Sequence, residues 1–206
     1  MPKLFHISAS PRRDSASSAG ADAFLARFRE THAGWDFDTL DLWRESLPEF
    51  DGARPNTRRT AGRPFNDPQR DAFAVIERMV IRLALGDRVL ISTPMWNFGI
   101  PYKLKQYFDL IVQPGLTFSF DPSRGDSPLL RTRPTLVIPA SGGDFVTGMN
   151  RGRTDMATRY LRDVLRFIGL RDLRCVLIGP TVGPPGLIDA AQQSAHRRLE
   201  EMAAGF

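Results

Sequence analysis

Between Asp87 and Ile111 the chain reads DRVLISTPMWNFGIPYKLKQYFDLI, and its hydrophobic period changes once within that segment. Val89 to Ser92 is a short, largely apolar run of the kind that a strand buried on both faces requires. From Pro101 onward, Leu104, Tyr107, Phe108 and Ile111 recur at helical spacing, which predicts an amphipathic helix. Strand, loop and helix in that order form the repeating unit of a parallel sheet covered on both sides. The loop places Pro94, Met95, Trp96, Asn97 and Phe98 directly after the strand, an odd position for two large aromatics unless they cover something flat.

The same unit recurs about five times in the rest of the chain. Lys3 to Ser8 reads as the first strand, followed by a helix with Ala21, Phe24, Leu25 and Phe28 on one face, and Phe37 to Leu42 as the second strand. Asp67 and Pro68 give the start signal of a helix carrying Ala72, Phe73, Ile76, Met79, Val80 and Leu83, which Gly86 ends. Thr135 to Ile138 is a further strand. A helix with Leu161, Val164, Leu165 and Ile168 then stops at Gly169, the strand Leu173 to Ile178 follows, and an amphipathic helix runs from Leu187. Residues 48–67 hold Pro, Arg, Gly and Asn without periodicity and read as a long surface excursion within one domain spanning residues 1–206.

The composition is that of an ordinary globular protein, with 42% hydrophobic and 25% charged residues among 206, so disorder is not indicated. No basic leader with an apolar core opens the chain and no apolar run reaches membrane length, which predicts a cytoplasmic protein without a membrane partner. Cys175 is the single cysteine and lies in an apolar run, reading as a core filler rather than a reactive thiol. A net charge of +5 suits anionic ligands. The arginines are scattered, with only a loose concentration from Arg151 to Arg174 and no interleaved aromatics, which argues against nucleic acid. His6, His32 and His196 lack ligand spacing, so no metal site is expected, and no Ser/His/Asp constellation is visible.

Ligands of open parallel sheets bind beyond the carboxyl ends of the strands, which selects three loops. The first, SASPRRDSASS from Ser8 to Ser18, is rich in hydroxyls and opens a helix, whose unpaired amides and partial positive charge suit a phosphate. Its candidates are Ser10, Ser15, Ala16 and Ser17; a plain helix cap at Ser17 or Ser18 would account for the same residues. It contains neither GxxxxGK[ST] nor GxGxxG, so triphosphate and dinucleotide loops are not expected. The second loop is Thr93 to Gly99, whose Met and aromatic side chains could pack on an apolar ring face while backbone amides and Asn97 meet its polar edge, isolated core or lid residues being the alternative. The third, Ala140-Ser141-Gly142-Gly143-Asp144-Phe145, has paired glycines that would let a ring approach the backbone, or would simply make a turn. The coincidence of all three at strand ends flanking one crevice favours a flat ligand with a phosphorylated tail.

The segment from Pro94 through Met95 to Phe120, PMWNFGIPYKLKQYFDLIVQPGLTFSF, resembles the stretch that marks FMN-dependent NADH azoreductases and related NAD(P)H quinone reductases. The likeness runs nearly end to end, taking in the Ser-rich first loop, Ser141 to Gly143, and YLRDVLRFIGL from Tyr160 to Leu170. It implies a flavodoxin-like three-layer α/β sandwich, with a five-stranded parallel sheet in the order 2-1-3-4-5 and helices on both faces. It also implies FMN, with phosphate contacts from Ser10 and Ser15 to Ser17, and with Met95, Trp96, Asn97 and Phe98 on one side of the ring and Ala140, Ser141, Gly142 and Gly143 on the other. Phe118, Phe120 and Phe145 are implied as walls of the acceptor pocket, core packing being their alternative. The implied activity is ping-pong hydride transfer from NADH or NADPH to a quinone or azo compound in a homodimer, the flavin rather than a side chain carrying the chemistry. Trp96 departs from a usual tyrosine, Ser141 from a frequent arginine, and the first loop is one residue shorter than in some relatives. Arg58, Arg59 and Arg63 are candidates for reading a 2′-phosphate. An NADPH-dependent FMN or chromate reductase would carry a different third-strand motif. A non-enzymatic flavodoxin-like carrier would be acidic, unlike this chain, and an FMN-binding regulatory module is a further rival.

Overall fold

A computed structural model describes residues 1–49, 67–150 and 152–206. The expected excursion therefore lies outside the described residues over 50–66, together with Arg58, Arg59 and Arg63. In chain order the elements are β1 (Lys3–Ser8), α1 (Ala16–Thr31), β2 (Asp36–Asp41), α2 (Asp67–Ala84), β3 (Arg88–Pro94), α3 (Tyr102–Ile111), β4 (Phe118–Asp121), β5 (Gly125–Pro128), β6 (Thr135–Ala140), α4 (Met156–Ile168), β7 (Leu173–Cys175) and α5 (Pro185–Ala204). Five strands form a parallel sheet in the order β2-β1-β3-β6-β7, which is the expected 2-1-3-4-5 once the separate β4-β5 pair is set aside.

Alternation along the strands divides the core into two layers. Phe5, Ile7, Val89, Ile91 and Val137 face α2, α3 and α4 through Ile76, Leu83, Leu104, Phe108, Leu161 and Leu165. Leu4, Leu90, Leu136, Ile138 and Ile178 face α1 and α5 through Phe24, Phe28, Ala195 and Leu199. Each inner strand thus buries both faces, the reason these runs are continuously apolar. Gly169 closes α4 in the left-handed region at φ 114°, as the sequence signal required.

Two features depart from expectation. Phe118–Asp121 and Gly125–Pro128 form an antiparallel hairpin of two four-residue strands with largely exposed residues, and its second strand, GDSP, carries no hydrophobic alternation to announce it. It is made by turn chemistry: Asp121 accepts from the amides of Ser123 and Arg124 at 2.8 and 3.0 Å. Strand β7 ends at Cys175 rather than Ile178, although Val176 and Ile178 still donate to Val137 and Pro139 at 3.0 and 2.8 Å.

A buried cation joins α2 to the sheet. Arg133 is 5% exposed, and its Nη1 donates to the carbonyls of Ala84 and Gly86 at 2.6 Å each and of Leu83 at 3.3 Å. These are the orphan acceptors at a helix C-terminus, where positive charge is favoured. Burial lowers the pKa of this guanidinium from its ordinary value.

Candidate active site

The first loop is tied together by its hydroxyls before α1 begins. Ser15, not Ser17 or Ser18, caps the helix, because its extended backbone lets Oγ accept from the Ser18 amide at 3.1 Å. The same Oγ lies 3.2 Å from Ser17 Oγ and 2.8 Å from Ser18 Oγ. Ser18 Oγ in turn donates to the Arg12 carbonyl at 3.3 Å. The amides of Ala16 and Ser17 lie at the first positions of α1, where no carbonyl of the helix can receive them. No acidic residue occupies that first turn, so the positive end of the helix dipole is left uncompensated by its own side chains.

The second loop is a tight turn. Trp96 and Gly99 exchange amide and carbonyl bonds at 2.9 Å each, which forces Asn97 to φ 48° and Phe98 to φ 70°. Asparagine tolerates this region, whereas phenylalanine held there costs about 1–2 kcal/mol. The turn is fixed from outside: the Met156 amide at the start of α4 donates to the Phe98 carbonyl at 3.1 Å, and the Met95 amide to that of Ala140 at 2.7 Å. Trp96 belongs to an aromatic cluster, its ring 5.7 Å from Trp43 and 6.5 Å from Tyr102, with Trp43 and Tyr102 edge to face at 5.3 Å. Trp43 is anchored by its indole N–H, which donates to the Ala9 carbonyl at 3.0 Å.

In the third loop Ser141 turns inward. It is 2% exposed, its hydroxyl donates to the Gly143 carbonyl at 2.7 Å, and its carbonyl accepts from the Thr181 amide and hydroxyl at 2.9 and 3.0 Å. A side chain so engaged shapes the turn and joins it to the segment after β7.

These three loops meet around a cleft of about 450 Å³ at the carboxyl ends of the strands. Arg12, Asp14, Ser15, Ala16 and Ser17 line one side; Pro94, Met95 and Trp96 come from the end of β3, and Ala140 and Gly142 from that of β6. Thr181, Val182 and Gln192 complete it. The volume falls in the range of small-molecule and cofactor sites. Of the expected residues, Ser15, Ala16, Ser17, Met95, Trp96, Ala140 and Gly142 are brought together here. Ser10 lies under the loop, 7% exposed, with its Oγ accepting from the Arg12 amide at 3.3 Å. Asn97 and Phe98 stand at the exposed tip of the turn, Ser141 is buried, and Gly143 is half-buried next to the lining residue Gly142.

None of the three aromatics expected at an acceptor pocket lines the cleft within one chain. Phe118 is 4% exposed with its ring 4.8 Å from Phe167, a core contact that follows from the hairpin folding down on α4. Phe120 projects from the hairpin, 64% exposed, and Phe145 lies half-buried beside Gly143. Sequence reasoning missed Thr181 and Val182, although they follow the fifth strand and the same strand-end rule selects them. Gln192 and Trp43 carried no local signal. His6 is buried in β1, its Nε2 2.9 Å from Ser92 Oγ, and burial lowers its pKa to about 4. Among the described residues no group of three or more His, Cys, Asp or Glu gathers around a common point.

The donors fit a flavin mononucleotide. Unpaired amides with a serine hydroxyl at a helix start match its phosphate, and the Met95-Trp96 segment beside the backbone of Ala140 and Gly142 suits a flat ring.

Residues 2–203 match the family model described as flavodoxin-like fold. The chain is 63% identical to FMN-dependent NADH:quinone oxidoreductase 1 of Bradyrhizobium diazoefficiens, with both chains covered in full. It is 40% identical to the FMN-dependent NADH:quinone oxidoreductase of Ruegeria pomeroyi over 99% of this chain and 100% of the other. Among solved structures, the azoreductase of Bacillus anthracis str. Sterne superposes with a TM-score of 0.89 at 25% identity over all of both chains. The FMN complex of an FMN-dependent NADH-azoreductase from Bacillus anthracis str. Ames Ancestor gives 0.85 at 25% identity, covering 99% of this chain and 98% of that one. A flavodoxin-like sheet order, a phosphate-ready helix start beside an aromatic wall, and these relatives agree: the chain belongs to the flavodoxin-like family of FMN-dependent NADH:quinone oxidoreductases.

Proposed function

We propose that this chain is a single FMN-binding domain that oxidises NADH and reduces quinones or azo compounds. The observation that carries this reading is the convergence of the α1 start, the Met95-Trp96 segment and Ala140 to Gly142 on one cleft. When bound there, FMN supplies the two-electron chemistry that no side chain of the cleft can perform.

The protein's part is to bind and orient. The amides of Ala16 and Ser17 and the hydroxyl of Ser15 hold the phosphate, with Arg12 adding charge. Met95 and Trp96 cover the ring, and Trp43 with Tyr102 keeps Trp96 from swinging into solvent. The strained Phe98 turn, pinned by Met156 and closed by Gly99, keeps the backbone after β3 from relaxing outward. One cleft serves donor and acceptor in turn, which is the physical basis of a ping-pong scheme. No side chain is assigned as a general base, because hydride transfer to and from the flavin is the cofactor's own chemistry.

A second copy of the chain completes the acceptor side in this proposal. Tyr102, Phe120, Val182 and Met149 are 61%, 64%, 72% and 77% exposed, apolar side chains of the kind that a partner subunit covers. A homodimer working in the cytoplasm fits this surface, and no helix among the described residues is long and apolar enough to cross a membrane.

The test is the visible spectrum of the purified protein loaded with FMN, titrated with NADH without oxygen and then with a simple benzoquinone. Bleaching on NADH and recovery on quinone are expected. Failure to retain flavin, or bleaching that quinone does not reverse, overturns the proposal.

A further inference from the structure

Arg153 is a cation without a counter-charge among the described residues. Its Nε and its backbone amide both donate to the Asn150 carbonyl, at 2.8 and 3.3 Å, which folds the side chain back over its own loop. The guanidinium then rests on the Gly143 backbone. A Cβ at residue 143 would stand 3.2 Å from Arg153 Nη2 and 3.2 Å from Phe145 Cε2, closer than nine in ten real contacts of a Cβ, so glycine is what admits the cation so close.

The carboxylates that flank Arg153 in sequence are engaged elsewhere. Asp144 accepts from the amides of Val146 and Thr147 at 3.0 and 2.9 Å and from the Thr147 hydroxyl. Asp155 caps α4 by accepting from the Thr158 amide at 2.8 Å. Among the described residues no carboxylate forms an ion pair with Arg153, and the side chain is exposed. Gly143 adjoins Gly142, which lines the cleft. A guanidinium without a carboxylate partner among the described residues, set on the residue next to that lining, offers planar donors to an anionic ligand in the cleft.

We propose that Arg153 is a specificity-determining residue of this cleft, binding an anionic oxygen group of the donor or acceptor that lies against the Gly142-Gly143 turn. The inference rests on the oxidoreductase reading above. Two ligand sources share the chemistry: the pyrophosphate of the nicotinamide donor, and a carboxylate or sulfonate on the acceptor.

The experiment compares FMN-loaded wild type, Arg153→Gln and Arg153→Lys on two matched pairs. One pair is a carboxylated azobenzene and its methyl ester; the other is NADH and N-benzyl-1,4-dihydronicotinamide, which delivers the same hydride without a pyrophosphate. Arg153→Gln is expected to lower the ratio of kcat/KM for the anionic over the neutral member of one pair by about two- to fivefold, through KM, the size of an exposed charge contact. Arg153→Lys restores part of the ratio, and the effect shrinks between about 0.05 and about 0.5 M salt as screening grows. Loss confined to the donor pair assigns the pyrophosphate, and loss confined to the azo pair assigns the acceptor. The affinity for ADP-ribose, which is anionic but cannot be reduced, falls in parallel only in the first case. Both ratios unchanged from wild type within the error of measurement overturn the proposal. A wild type that fails to pass electrons from NADH to quinone removes the oxidoreductase reading itself, a result visible before any variant is made.

Discussion

Replacing Ala16 by aspartate sets two electrostatic effects against each other at the start of α1. Residue 16 is the first in the helix after the Ser15 cap, and the wild-type first turn carries no acid. A carboxylate there meets the positive end of the helix dipole and is expected to stabilise the apoprotein by about 0.3–1 kcal/mol. A phosphate received by the Ala16 and Ser17 amides meets the same carboxylate as a like charge. At about 6 Å and an effective dielectric of about 40 for a partly solvated cleft, repulsion is about 1.4 kcal/mol per unit charge, hence about 2 kcal/mol for a phosphate near −1.5. That corresponds to roughly 30-fold weaker FMN binding. The assay is quenching of flavin fluorescence on titration with FMN and with riboflavin, alongside denaturant unfolding of the apoprotein. The variant should lose FMN affinity, keep its affinity for riboflavin, which lacks the phosphate, and unfold no earlier than wild type. FMN affinity within about threefold of wild type, or an equal loss for riboflavin, refutes the placement of the phosphate at this helix start.

Three further outcomes concern the core. Arg133→Met strips the Ala84 and Gly86 carbonyls of the cation that receives them, at about 1–1.5 kcal/mol each, so unfolding in urea should show a loss of about 2–3 kcal/mol with an unchanged m-value. His6 has a folded pKa of about 4 against an ordinary value of 6.5, so the unfolded chain binds the proton more readily. Stability is therefore complete above about pH 6.5 and is lost at up to about 1.4 kcal/mol per unit as pH falls towards 4; His6→Gln should remove that part of the slope from the pH dependence of unfolding. Burial pushes the Cys175 thiol up to about 11, so it should react with iodoacetamide at pH 8 about tenfold or more slowly than free cysteine, measured by mass spectrometry of the native protein.

Local patterning made most of the framework legible. The apolar stripes of α1, α3 and α4 were readable because a helix must place one face on the sheet, and Leu4, Phe5 and Ile7 because a central strand buries both faces. The β4-β5 hairpin was not, since its strands are only four residues long and mostly exposed, and its turn depends on where one Asp121 side chain points. The site divided in the same way. Ser15, Ala16, Met95 and Gly142 were found from the loops that leave the carboxyl ends of the strands, and Thr181 and Val182 would have been found had the same rule been carried to the end of β7. Trp43 and Gln192 come from elements whose contribution depends on how the chain folds back.

The sequence by itself determined an alternating α/β chain and the loops where a ligand could bind, because periods of two and 3.6 residues and turn residues act over neighbouring positions. Tertiary structure decided that those loops share one cleft, that Ser141 turns to Gly143 and Thr181 while Phe118 turns to Phe167, and that Arg153 lies on Gly143. Strand order and the direction of a loop side chain are fixed by close packing between segments distant in the chain, which no local pattern encodes.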